Sequence, residues 1–172
     1  LRIIVEAPEP VAYSVRVEGV RFSAAHFATF AGGCEPLHGH SYEVAAEVEG
    51  ALAPDSWVID FGGLRKTLRA LCEELDHRFI LQAESRDLRI ECSGQAWRIH
   101  TPDRSAYLFP AADVAELPID NSTAERLAEY LSERLWRALD SDQHANLERL
   151  AVEVWEGPGQ RGRFVRERLP LR

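Results

Sequence analysis

Cysteine is scarce in this 172-residue chain, and Cys34, Cys72 and Cys92 make an odd count without framework spacing. A disulfide scaffold is therefore not expected, and a reducing, cytoplasmic setting is. Long apolar runs are lacking as well. None approaches the roughly 20 residues that span a bilayer, so no membrane partner is expected. No basic stretch leading into an apolar core marks a signal peptide. Basic charge is in deficit: 20 Lys and Arg face 28 Asp and Glu, a formal net charge of −8. That balance argues against nucleic acid as the main partner, because phosphate backbones need a basic face. It still permits a local basic pocket for one phosphorylated metabolite.

Internal repeats and low-complexity tracts are also absent. The rest is ordinary for a globular protein, with 45% apolar and 28% charged residues. The length suits one domain over 1–172, able to bury about two thirds of its unfolded surface without staples.

Two alternating segments come first. Over 13–27, Val15 and Val17 share one parity and Val20 and Phe22 the other, which predicts a long strand with a β-bulge at Glu18-Gly19. Over 38–50, Tyr42, Val44, Ala46 and Val48 alternate with Glu43, Glu47 and Glu49, the pattern of a half-buried antiparallel strand. Asp60 then caps a helix whose stripe is Phe61, Leu64, Leu68, Leu71, Cys72 and Leu75, ending before Asp76-His77. A second helix starts near Ser122, where Ser122-Thr123-Ala124-Glu125 has capping-box form, and runs through Leu127, Leu131, Leu135 and Leu139. Two strands close the chain, about 147–156 and 163–170, around the turn Gly157-Pro158-Gly159-Gln160. Between the helices, 84–118 reads as an inserted hairpin or flap built on Arg89–Cys92 and Ala106–Phe109. The expected architecture is α+β: a four-stranded antiparallel sheet with two helices packed on one face, plus the insert.

The sharpest local feature is Cys34-Glu35-Pro36-Leu37-His38-Gly39-His40. Histidines two apart on a strand point to the same side, so His38 and His40 share the face of Tyr42 and Val44. His26 ends the preceding strand, and a hairpin around the 28–37 loop sets it beside them. Three imidazoles leave a fourth coordination position open, the arrangement of a catalytic Zn2+ site; iron and nickel accept the same ligands. Glu156 carries its own signal. It shares parity with Leu150, Val152 and Val154, and an acid on an apolar face needs a partner, whether a ligand or an arginine such as Arg161 or Arg163.

These segments resemble the landmarks of the 6-pyruvoyl-tetrahydropterin synthase family, which includes the 6-carboxy-tetrahydropterin synthase of queuosine biosynthesis. The resemblance rests on Phe22–His26, the Cys-x-x-x-His-Gly-His loop, Leu75-Asp76-His77 and Thr123-Ala124-Glu125, in family order over about 13–168. It implies the tunnelling fold and a homo-oligomer, a hexamer of two trimers with sites between subunits. It also implies a zinc-dependent lyase acting on 7,8-dihydroneopterin triphosphate. By the same resemblance His26, His38 and His40 are the metal ligands and Cys34 the catalytic thiol. Asp76 and His77 form a proton relay, Glu156 anchors the pterin ring, and Thr123 and Glu125 line its pocket. Glu125 also has a plain explanation in the capping box.

Two features depart from the family pattern. Glu35 follows Cys34 directly, and some family members use a glutamate in this loop to release 6-hydroxymethyl-dihydropterin, a folate precursor. Thiol and carboxylate are thus both available as the base. Retention of Cys34 favours the 6-carboxy or 6-pyruvoyl product over the 6-hydroxymethyl one. The other departure is the long 84–118 insert, which leaves a third alternative, a pterin-binding homologue with little turnover.

Overall fold

The computed structural model describes residues 12–103, 106–139 and 145–168. The alternating segments form β1 (Tyr13–His26) and β4 (His38–Gly50), an antiparallel pair whose register slips between Val17 and Val20, where the bulge was expected. Gly19 sits there with φ of 75°, a left-handed backbone that costs a glycine little. The 28–37 connection carries its own small hairpin of β2 (Thr29–Phe30) and β3 (Gly33–Cys34).

α1 (Phe61–Glu73) starts where its signals place it. The Asp60 carboxylate accepts from the Gly63 amide at 2.6 Å, and Leu64, Leu68, Leu71 and Cys72 are buried. α2 (Ala124–Leu139) buries Leu127, Leu131, Leu135 and Leu139, as its stripe requires. Its cap differs from the expectation. Thr123, not Ser122, caps the helix, its Oγ1 accepting from the Arg126 amide at 3.4 Å. The Ser122 hydroxyl turns inward instead and donates to the Phe27 carbonyl at 2.9 Å. The reciprocal capping box is therefore not formed.

The main sheet has six strands rather than four. The expected antiparallel core is present as β11 (Gln160–Glu167), β10 (Leu147–Gly157), β4 and β1. To it are added β5 (Arg78–Gln82), parallel to β1, and β9 (Val114–Leu117), parallel to β5. Both are short and buried at most positions on both faces, Phe79–Gln82 in β5 and Val114, Ala115 and Leu117 in β9, a pattern that alternation does not report. The insert is not a simple hairpin either. β6 (Arg89–Cys92), β7 (Ala96–His100) and β8 (Tyr107–Pro110) form a separate three-stranded antiparallel sheet before the chain returns as β9. The final strand begins at Gln160 rather than 163; the expected end at 169–170 lies outside the described residues.

Two apolar clusters result. The larger lies between the main sheet and the two helices and includes Phe22, Tyr42, Leu64, Leu68, Leu131 and Val152. The smaller joins the loop before β4 to the insert, gathering Phe27, Cys34, Phe79, Leu81, Ile99 and Val114. Gly162 decides where α2 meets the sheet. A Cβ there would lie 2.3 Å from backbone atoms of Ala124 and Glu125, so only glycine lets the helix N-terminus settle on β11.

Candidate metal centre

The antiparallel register sets His26 opposite His38 and Ala24 opposite His40. Opposed residues in such a pair point to the same side, so all three imidazoles emerge on the helix face. Gly39 makes this close pairing possible, since a Cβ there would be 2.9 Å from the Ala24 carbonyl oxygen. One ligand nitrogen from each histidine lies within 4.8 Å of the others.

Their hydrogen bonds fix which nitrogen faces inward. His26 Nδ1 is 2.9 Å from the Ser122 carbonyl oxygen, to which it can only donate, so the neutral ring keeps its lone pair on Nε2. That Nε2 is buried and has no hydrogen-bond partner. His38 Nδ1 stands 2.8 Å from the Pro36 carbonyl oxygen and leaves Nε2 available in the same way. Backbone carbonyls behind metal-binding histidines are the usual means of fixing tautomer and ring orientation. Burial pushes the His26 imidazole down to about 4, against the help of the Ser122 carbonyl; it is therefore neutral, the form a metal requires. The orphaned nitrogen and the two oriented rings fit a divalent cation of Zn2+ type.

The histidines open into a cavity of about 550 Å³ whose wall includes Glu35, Thr123, Glu125, Glu156 and Arg161. Glu35 reaches it from the 28–37 loop, and Thr123 and Glu125 from the first turn of α2. Glu156 enters from β10. The two arginines considered as its partners bind Glu153 instead, Arg161 at 3.1 Å and Arg163 at 3.2 Å. Among the described residues Glu156 has no ion-pair partner. Burial raises its carboxyl above the usual range; the His40 imidazole works the other way, and Glu35 and Glu125 add to the rise.

A match to the model of the family described as 6-pyruvoyl tetrahydropterin synthase covers residues 14–167. The chain belongs to this family. A Methanocaldococcus jannaschii relative, a putative 6-carboxy-5,6,7,8-tetrahydropterin synthase, is 34% identical over 83% of this chain and 87% of its own. A Pyrococcus furiosus dihydroneopterin monophosphate aldolase is 29% identical over 91% of this chain and 90% of its own. The crystal structure of Plasmodium vivax 6-pyruvoyl tetrahydropterin synthase superposes with a TM-score of 0.87 at 33% identity, covering 92% of this chain and 99% of that one. The same Plasmodium enzyme has been solved with a catalytic glutamate replaced by alanine, again with a TM-score of 0.87, at 32% identity and the same coverage.

Family resemblance assigns roles that the geometry distributes unevenly. His26, His38, His40, Glu35, Thr123, Glu125 and Glu156 share one cavity. Cys34 does not line it. Only 8% exposed, the cysteine lies in the smaller apolar cluster, and its amide donates to Asp103 at 3.3 Å. Asp76 and His77 also stand apart. The His77 ring is 2.8 Å from the Asp76 carboxylate, its side chain is 82% exposed, and its φ is 57°. It borders a second cavity of about 570 Å³ whose wall includes Ser23, Ala25, Gly39 and Ser41. Those four have the opposite parity to the histidines, but Ala24 and His40 line this cavity too, so it meets the histidine site at His40. Ser122, Arg161 and Asp103 belong to the neighbourhood in roles the sequence does not indicate: Ser122 reads only as a cap, Arg161 only as a partner for Glu156, and Asp103 not at all. A serine at a helix start reads as a cap, and nothing local marks Asp103.

Proposed function

We propose that this chain is a zinc-dependent lyase acting on 7,8-dihydroneopterin triphosphate, with Glu35 as its working base and 6-hydroxymethyl-7,8-dihydropterin as its product. The observation that carries this reading is the placement of the Glu35 carboxylate in the cavity of the three histidines, while Cys34 is buried elsewhere. Zn2+, held by His26, His38 and His40, would supply Lewis acidity that lowers the pKa of the side-chain hydroxyls of the substrate. Glu156 suits the bidentate acceptor role toward the amino and ring N–H donors of a pterin, fixing its orientation. Arg161 is a cation in the cavity wall available to a phosphate oxygen; Arg16 and Arg163 would still neutralise Glu153 if it turned away.

Glu35 then takes the proton of the hydroxyl on the second side-chain carbon. The bond between the first and second side-chain carbons breaks as that oxygen becomes a carbonyl. The electron pair moves into the C6–N5 imine of the dihydropterin. Return of the proton to the first carbon gives the 6-hydroxymethyl product and a two-carbon aldehyde bearing the triphosphate, so atoms and charge balance. The name of the Pyrococcus furiosus relative and the catalytic glutamate of the Plasmodium enzyme support a reaction of this kind.

A second reading has its own support. Relatives named for 6-carboxy-tetrahydropterin formation, together with the retained Cys34, favour elimination of triphosphate to a 6-carboxy or 6-pyruvoyl product. A cytoplasmic homo-oligomer, a hexamer of two trimers, fits both readings. Asp76 and His77 would then serve the cavity of a neighbouring subunit.

The deciding experiment incubates the zinc-loaded protein with 7,8-dihydroneopterin triphosphate and identifies products by mass. A 6-hydroxymethyl pterin with the phosphorylated aldehyde is expected. Inorganic triphosphate with a 6-carboxy or 6-pyruvoyl pterin would establish the second reading. No turnover despite bound zinc and pterin would sink both and leave a binding protein.

A further inference from the structure

Neighbouring residues on an extended segment face opposite sides, so Cys34 and Glu35 cannot both point at the histidines. Something must choose between them. The loop from Phe27 to Leu37 is held from two directions. On one side Thr29 is gripped by Asn121, whose side chain accepts from the Thr29 amide at 2.9 Å and donates to its carbonyl at 2.9 Å. The Glu35 amide donates to the Ala28 carbonyl at 3.0 Å, and the Ala28 amide donates back to the Glu35 carboxylate at 3.4 Å. These contacts close the loop and hold the Glu35 carboxylate beside Ala28 in the wall of the histidine cavity, but none of them touches the Cys34 side of the loop.

The hold on Cys34 comes from the insert. Asp103, just beyond β7, accepts from the Cys34 amide at 3.3 Å. Its other oxygen lies where a Cβ on Gly33 would be 3.6 Å away, so the carboxylate rides directly over the β3 backbone. The aromatic wall of the insert receives the thiol. Phe27 stacks with Tyr107 at 5.3 Å and Phe79 with Phe109 at 4.3 Å, in the cluster that also holds Cys34 and Ile99. At the tip of the loop, Ala31 and Gly32 take φ of 50° and 78°. That two-residue left-handed turn sets the pairing of Thr29 with Cys34. A one-residue slip there would exchange the faces of residues 34 and 35.

We propose that Asp103, backed by the aromatic cluster of the insert, is a positioning residue that holds the loop in the register presenting Glu35 and burying Cys34. The insert is thereby a specificity element for the proposed lyase reaction. The consequence for product choice rests on the function proposed above, whereas the register itself does not.

The test uses the whole protein without substrate. Iodoacetamide alkylation of the three cysteines is followed by peptide mass mapping. Cys92 is exposed and serves as the fast reference. Cys72 serves as the slow one, since burial raises its thiol to about 12. In the wild type, Cys34 should react at the Cys72 rate. Asp103→Ala should speed Cys34 by at least about tenfold while Cys72 stays protected, and Asp103→Asn, which keeps the acceptor oxygen, should restore protection. Cys34 reacting like Cys92 in the wild type would overturn the proposal, as would an unchanged Cys34 rate in a folded Asp103→Ala. If that variant exposes Cys72 as well, it has unfolded, and Phe109→Ala takes its place. Thinning the wall must then expose Cys34 alone, and failure to do so overturns the proposal. Labelling as expected in a protein that turns over no pterin would refute the lyase function and leave the loop register standing.

Discussion

A single residue decides which chemistry the cavity can run. Removing the Glu35 carboxylate while keeping its shape, as in Glu35→Gln, should lower kcat by about 10²–10⁴, the usual contribution of a general base, with KM little changed. Zinc content, measured by elemental mass spectrometry, should not fall, because the three imidazoles are untouched. Cys34→Ala should retain most activity; a collapse in its kcat comparable to that of Glu35→Gln would transfer the role of base to the thiol. The histidines were legible in the sequence because alternation along a strand is a rigid rule, and β1 obeys it through its last residue and β4 from its first. The orientation of Cys34 was not. It depends on a two-residue turn and on Asp103, nearly 70 positions away, and no local pattern carries information of that range. Ser122 was legible only as a cap. Its hydroxyl finds the Phe27 carbonyl because β1 ends beneath it, and its own carbonyl accepts a hydrogen bond from His26 Nδ1.

At the level of elements, the cavity exists because α2 starts against β11. Gly162→Ala would drive a methyl group into the backbone of Ala124 and Glu125 and push the first turn outward. Overpacking of this kind costs about 1–3 kcal/mol. Thr123 and Glu125 should withdraw from the cavity, so KM should rise more than kcat falls, and amide exchange over 123–127 should accelerate. Asp60→Ala gives the contrasting case. It should cost about 1 kcal/mol by loss of the N-cap of α1 while leaving KM unchanged, since α1 does not line the cavity. Chemical denaturation with steady-state kinetics reads both outcomes, and an unchanged KM in Gly162→Ala would break the link between helix seating and the site. Both helices and the four-stranded core could be read from periodicity. β5 and β9 could not, because residues buried on both faces leave no alternation to follow, and their neighbours in the sheet come from distant sequence.

Over the whole molecule, charge is organised on the sheet face away from the helices. Glu153, only 3% exposed, binds Arg16 at 2.7 Å and the Arg161 and Arg163 guanidiniums beyond it. Burial works to raise its carboxyl, but the Arg16 hydrogen bond and the three positive charges outweigh it and hold it below the usual carboxylate range. A depressed folded pKa contributes stability above the ordinary value, and that stability disappears as pH falls through the depressed one. Glu153→Gln should therefore lose about 2 kcal/mol at neutral pH, a buried pair discounted for its half-exposed arginines, and the gap from wild type should close in acid. A gap in melting temperature that persists at low pH would contradict this assignment. The largest-scale prediction concerns His77, which lines a different cavity from Glu35, the two cavities sharing only His40 in their walls. If the proposed oligomer pairs each His77 with the cavity of a neighbouring subunit, His77→Ala and Glu35→Gln damage different contributors to the same composite site. Each variant alone should be nearly inactive. After unfolding together and refolding in equal amounts, about one quarter of the sites should receive an intact Glu35 and an intact neighbouring His77 by random assortment. Recovered activity near that fraction would place the relay between subunits. A mixture no more active than its separate components would confine His77 to ending α1, with its left-handed backbone serving only to turn the chain into β5.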